Sequence, residues 1–162
     1  MLISAPVSAS EVIFGKTIPF ALLGMWYFPF TLAVAVFVFS VPLRGSLILL
    51  TIAAFFFVCS AVAIGTLIST FCQNQQQANL GSFLFLFPAI MFSGVMFPIE
   101  NMPKGLQFLA SIDPLSHYLF ILRNIMLKGG DLRFVLLHIA YLLAIALVGG
   151  ISSFKRFKTT LQ

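Results

Sequence analysis

Charge is what this sequence has least of. Only 8% of its 162 residues are charged, four of them acidic, whereas a soluble domain carries about 25%. With 60% hydrophobic residues, 20 of them phenylalanine, and a mean hydropathy of +1.10, too little polar surface remains to cover a water-soluble body of this size. The chain reads as an integral membrane protein. Cysteine is nearly absent. Cys59 lies inside an apolar run and Cys72 near the end of one, without the Cys/His spacing of a metal site, so both read as packing residues. No G-x-x-x-x-G-K-[ST] phosphate loop occurs, and no catalytic nucleophile, acid–base pair or metal cluster stands out. Residues 1–13 lack the basic start of a cleavable signal peptide. The net charge of +5 forms no basic face with interleaved aromatics, which excludes nucleic acid as the expected partner and leaves membrane lipid. A proton-coupled carrier needs an acid within a span. All four acids, Glu11, Glu100, Asp113 and Asp131, fall outside the spans expected below.

What is present is a series of uncharged runs divided by polar breaks. Residues 4–16 are mildly amphipathic, and Ser8-Ala9-Ser10-Glu11 fits a capping box, so a short surface helix is expected there. Residues 17–43 carry no charge and suffice for one tilted span. Pro19 falls in its first turn, Pro29 predicts a kink, and Trp26-Tyr27, too deep for an interfacial belt, read as helix packing. After Arg44, residues 45–99 are again uncharged and suit two spans, 46–70 and 78–96. Gln73-Asn74-Gln75-Gln76-Gln77 divides them as a polar turn, because five amides in lipid would lack partners.

Phe97-Pro98-Ile99-Glu100-Asn101-Met102-Pro103 then ends the hydrophobic run, since two prolines five residues apart cannot share one undistorted helix. Beyond it, residues 106–112 and 115–127, broken by Asp113-Pro114, predict two short helices that dip into the membrane and return to the same side. Arg123 is expected to pair with Asp113 or Glu100. Residues 134–154 make the last span, with His138 an interfacial or packed residue. Lys155-Arg156-Phe157-Lys158 directly after it marks the cytoplasmic end. That places residues 1–16 and the glutamine turn in the cytoplasm, and Arg44 and residues 98–131 on the outer side. The expected fold is an all-α membrane protein, one domain over 1–162, with four transmembrane helices plus a short re-entrant helical pair between the third and fourth.

Four segments in series resemble the membrane subunit of ABC-2 type exporters. Pro6-Val7-Ser8, Glu11 and Gly15-Lys16 look like the family's T-P-V-S-x-x-E-x-x-x-G-K segment. Gly65-Thr66-Leu67-Ile68-Ser69-Thr70 with Gln75-Gln76-Gln77-Ala78 looks like its G-x-L-I-S-T…Q-Q-A turn. Ser93-Gly94 through Pro103 resembles its S-G-x-x-F-P-I-E-N-M-P signature. Pro114-Leu115-Ser116, Leu122-Arg123, Ile125 and Leu127-Lys128-Gly129 resemble its P-L-T…L-R-x-I-x-L-K-G segment. Two departures are His117, where the family tends to have an aromatic, and Asn124, where glycine is frequent.

The resemblance implies a permease subunit of an ATP-driven exporter in a bacterial inner membrane, corresponding to about the latter half of the family's protein and therefore expected to be a truncated or split form. Ser8, Glu11, Gly15 and Lys16 would couple to a separate ATPase subunit, which would hold the ATP and Mg²⁺; this chain would bind no cofactor and be no enzyme by itself. Pro98, Glu100, Asn101, Pro103 and Arg123 would belong to an outer gate formed by the re-entrant pair. A second permease half, identical or different, and a periplasmic adaptor are the other partners implied. The alternative is a non-transporting small membrane protein, or the inactive remnant of a permease gene.

Overall fold

The computed structural model describes residues 9–160, with side chains over 15–156. Among them the chain is all-helical: α1 (Ala9–Phe37), α2 (Leu47–Phe71), α3 (Gln75–Phe92), a 3-10 turn at Ile99–Asn101, α4 (Lys104–Ile112), α5 (Pro114–Lys128) and α6 (Leu132–Thr160). Three segments, Gly15–Phe37, Leu47–Phe71 and Leu132–Arg156, are long and apolar enough to cross a membrane. The 18 residues of α3 begin with three glutamines, which keep it outside that group.

Local chemistry moves several boundaries from those expected. α1 takes in the segment that reads as a separate surface helix, running unbroken from Ala9 through Pro19 and Pro29 to Phe37. It stops short of residue 43, and Ser40, at φ 51, then turns the backbone into the left-handed region. Gln73 and Asn74 form the expected turn, but Gln75, Gln76 and Gln77 are already the first turn of α3. Asn74 accepts from the Gln77 N–H at 2.9 Å while the Gln77 side-chain oxygen accepts from the Gln73 N–H at 2.9 Å, a reciprocal cap that satisfies two otherwise orphaned donors. The far end of α3 falls at Phe92 rather than 96, because Gly94 adopts φ +84, a conformation that L side chains avoid. A Cβ at Gly94 would also press on the Ile99 side chain at 3.2 Å. α4 and α5 are the two short helices expected after the proline break.

α2 is the centre of the bundle. Its Leu50 and Ala53 pack with Ile121 and Ile125 of α5 and with Val135, Ile139 and Leu142 of α6. Small residues bring α2 and α6 close, a Cβ on Gly149 lying only 3.3 Å from the Ala63 methyl. The two helices run parallel. Near the start of both, the Arg44 N–H donates to the Met126 carbonyl at 3.3 Å, and a Cβ on Gly45 would meet the Ile125 carbonyl oxygen at 2.7 Å. Near the end of both, the Arg156 guanidinium lies 3.9 Å from the centre of the Phe71 ring. α1 and α3 run the other way, with Gly24 against Val58 and Gly81 against Ile68. The start of α1, the α2–α3 turn and the end of α6 therefore share one end of the bundle. The α1–α2 connection, the end of α3 and the α5–α6 turn share the other.

α1 contributes little to the packed interior. Trp26 and Tyr27 are 78% and 63% exposed, so the expectation that they serve helix packing fails among the described residues. They point outward with Phe20, Leu22 and Phe30, which is how an apolar helix meets lipid or another subunit.

Candidate functional site

Chemistry concentrates at the turn between α4 and α5. Pro114 at the first position of α5 and Asp113 as its cap are the residue types that begin a helix abruptly. The first turn of α5 then stitches itself onto the last carbonyls of α4. The Ser116 hydroxyl reaches the carbonyls of Ala110 and Asp113, and His117 Nε2 lies 2.9 Å from the Ser111 carbonyl. Helix-end carbonyls normally left to water are thus satisfied inside the protein.

His117 also fixes a second imidazole. Its Nδ1 lies 2.9 Å from Nδ1 of His138 on α6, and its ring stacks on Tyr141 with centroids 4.9 Å apart. A carbonyl can only accept, so His117 Nε2 carries the proton there. Neutral His117 then accepts at Nδ1, and His138 must donate from its own Nδ1. The pair can take up one proton, at His138 Nε2, without losing either hydrogen bond. A second proton would set two donors against each other. His138 is packed, as expected from the sequence; its partner was not legible there, because 21 residues and a helix break separate the two.

Asp113 differs from its surroundings. It is 8% exposed, its Oδ1 accepts from the Leu115 N–H at 3.1 Å, and its Oδ2 is buried without a partner. Burial pushes its carboxyl up to about 6, against the pull of backbone N–H groups of Leu115 and Ser116. It lies at the wall of an apolar cleft of about 640 Å³ shared with Ala144 and Ile145 of α6. Ala144 is twelve residues beyond Leu132, about 18 Å along that helix. All four acids lie outside the spans in sequence, but Asp113 is carried to the mid-length of α6 by the fold.

The expected pairing of Arg123 with Asp113 or Glu100 is not made. Arg123 instead donates to the Gly94 carbonyl at 2.8 Å, joining α5 to the backbone that opens the proline break. The reason is register: Arg123 stands ten residues, about 15 Å, along α5 from Asp113, and Glu100 is exposed in the 3-10 turn. Of the other proposed gate residues, Pro98 caps that turn by accepting the Asn101 N–H at 3.1 Å, and Pro103 opens α4. Pro98, Asn101 and Pro103 are exposed. Asn124 holds the opposite end of α5: its side chain accepts from the Asp131 N–H at 2.9 Å, and Gly129, at φ 88, closes the helix.

Of the residues expected to couple to an ATPase, Ser8 and the side chain of Glu11 lie outside the described residues. Gly15 and Lys16 are exposed on α1, at the other end of the bundle from the break. No group of three or more metal-ligating side chains occurs among the described residues.

Residues 1–155 match the model of the ABC-2 family transporter proteins. The chain is 34% identical over 157 residues to the probable multidrug ABC transporter permease YbhR of Escherichia coli K12, covering 97% of this chain and 43% of that protein. It is 31% identical over 148 residues to the probable multidrug ABC transporter permease YbhS of the same organism, covering 91% and 39%. It is 27% identical over 124 residues to the E. coli K12 inner membrane transport permease YhhJ, covering 76% and 33%. The chain thus spans less than half the length of these relatives. No solved structure matches it. Its apolar helices, its proline break and its match across residues 1–155 together make it a membrane protein of the ABC-2 transporter family.

Proposed function

We propose that the chain is the transmembrane permease subunit, or part of one, of an ATP-driven exporter in a bacterial inner membrane. In this reading α1, α2, α3 and α6 cross the bilayer. α4 and α5 form a re-entrant pair that enters from the outer side, turns at Asp113 and returns. α3 would be the fourth crossing, with its glutamines at a membrane surface and residues 78–92 inside. ATP and Mg²⁺ belong to an ATPase subunit docked at the end of the bundle that holds Lys16. A second permease half and a periplasmic adaptor complete the assembly. The names of YbhR and YbhS support multidrug transport as the class of activity.

The observation that carries this reading is the continuity of α1. Exposed Gly15 and Lys16 belong to the same unbroken helix as the first span, so displacement of that end is delivered directly to the membrane segment. The family match over residues 1–155 favours this reading over an inert small membrane protein. The test is co-purification from native membranes through a tag at Gln162. Recovery of an ATPase subunit, lost in the double variant Glu11→Ala/Lys16→Ala, is the expected result; recovery of the chain without any ATPase would overturn it.

A further inference from the structure

The His117–His138 bond ties the corner between α4 and α5 to the side of α6. His117 is buried and His138 half-buried. Their ring centres are 5.2 Å apart, about as far as two imidazoles can lie when their nearest nitrogens are 2.9 Å apart. The two Nδ1 atoms therefore point at each other along one line, which suits a single shared proton. A metal ion held by both would need lone pairs that converge on a point beside that line, each about 2.0–2.1 Å away.

The chain of bonds has a direction. The Ser111 carbonyl fixes the His117 proton on Nε2, so Nδ1 of His117 accepts and Nδ1 of His138 donates. A first added proton goes to His138 Nε2, on a ring that Phe120 and Phe134 flank with their π-systems. Both bonds survive it. A second proton has only His117 Nδ1 to occupy. Two N–H groups and two positive charges then oppose each other where one bond stood.

No counter-charge offsets that repulsion. Of the ionisable groups on the elements packed around the pair, Tyr141 of α6 stacks on His117, Tyr118 of α5 stacks on Phe57, and Arg123 bonds the Gly94 carbonyl. Asp113 bonds the Leu115 N–H, Glu100 and Lys104 are exposed, α2 offers only Cys59, and α3 carries no ionisable residue. The rings also have room to part, because they border a cavity of about 380 Å³ together with Ile99, Gln107 and Leu137. The far part of α5 is held differently, by Asn124 on the Asp131 N–H and by Ile121 and Ile125 in the core, none of which titrates.

From the collinear Nδ1–Nδ1 contact of His117 and His138, with its donor order set by the Ser111 carbonyl, we propose that the pair is an acid-released clasp. It holds the α4–α5 corner on α6 while it carries no more than one added proton. The second proton frees the corner, and the far part of α5 stays docked. The clasp consists of this chain's own side chains and stands apart from the permease reading, so the presence or absence of an ATPase partner leaves its test untouched.

The test uses the full chain with ¹⁵N-labelled histidine, purified without a histidine tag and held in nanodiscs. The sequence contains two histidines, so each ring signal belongs to one of this pair. A scalar coupling between the two Nδ1 nuclei is expected at pH 8, to persist through the first protonation and to vanish with the second. Amide exchange of residues 111–118, normalised to intrinsic rates, should quicken at least about tenfold at that second step, while residues 124–128 keep their protection. His138→Phe, which retains an aromatic ring, should exchange fast at the corner already at pH 8 and show no step. Asp113→Asn should keep the step. The proposal is overturned by absence of the coupling at pH 8, by a coupling that outlasts the second proton, or by global unfolding before that proton binds. A step that survives in His138→Phe, or disappears in Asp113→Asn, would overturn it equally. Should His138→Phe fail to fold, the two-ring spectrum of the unaltered chain decides by itself.

Discussion

α1 and α5 are built on opposite plans. α1 is apolar on every face and turns Trp26, Phe30 and Phe37 outward, touching the rest of the bundle along a narrow strip around Gly24. α5 is half as long, yet it buries Ser116, His117 and Asn124 together with Ile121, Ile125 and Met126. A helix like α1 owes its place to the solvent around it, because lipid is as good a neighbour as protein for an apolar surface. A helix like α5 is held by directed bonds at both ends: Ser116 and His117 to α4, His117 to α6, Arg123 to Gly94, and Asn124 to the α5–α6 turn. Substitutions should therefore be felt strongly around α5 and weakly on α1.

The largest effect should come where backbones touch. Gly45→Val would drive a Cβ to within 2.7 Å of the Ile125 carbonyl oxygen, with the Gly129 carbonyl at 3.0 Å, so the α5 terminus must move. A loss of more than about 3 kcal/mol is expected, read as failure to purify as a monodisperse species or a collapse of thermal stability in detergent. Leu50→Ala, at the centre of the core and fully buried, should cost about 2–5 kcal/mol in the same assay. His117→Ala should cost about 1–3 kcal/mol, because it leaves the Ser111 carbonyl and the Nδ1 of His138 without partners. A comparable loss from Trp26→Ala, expected to change stability by no more than about 0.5 kcal/mol, would erase the contrast between the two helices.

Asp113 gives a pH test of smaller size. Its carboxyl titrates near 6 in the folded chain, above its ordinary 3.8, so the folded state prefers it protonated. The stabilisation is complete below about pH 4 and is lost as pH rises through 6. The unaltered chain should gain on the order of 1 kcal/mol between pH 7 and pH 4 relative to Asp113→Asn, once partial access through the open cleft is allowed for. His117, one turn further along α5, faces Ser111 and His138 and titrates in both chains, so the difference between them isolates Asp113.

Much of this architecture is legible in the sequence, and what is not follows a pattern. The uncharged runs give the apolar helices, and Pro98, Pro103 and Asp113-Pro114 give the two short ones, because chain stiffness and missing N–H groups act locally. Helix ends depart from the hydropathy pattern where a side chain caps the backbone or a glycine turns it. Gln77 turned an expected loop into a cap, and Gly94 ended α3 early. The partners of Arg123, His117 and Asp113 were hidden because each is decided by a neighbour far along the chain. A hint was present. His117 and Asn124, the two departures from the ABC-2 pattern in that segment, are both residues by which α5 is tied to α6 or its approach.

The lengths of the outermost helices have a mechanical consequence. α1 and α6 each contain 29 residues, about 43 Å of helix, against a hydrocarbon layer of about 30 Å. α1 begins at the end of the bundle where α6 finishes, so a large part of the excess of both projects there. Two rigid stubs, each at most about two and a half turns long, then stand proud of the same leaflet. A lateral push on either stub pivots about the headgroup layer and reappears, with reversed sense, deeper in the membrane. The bundle has a pair of levers at one face, and at the other face only short connections.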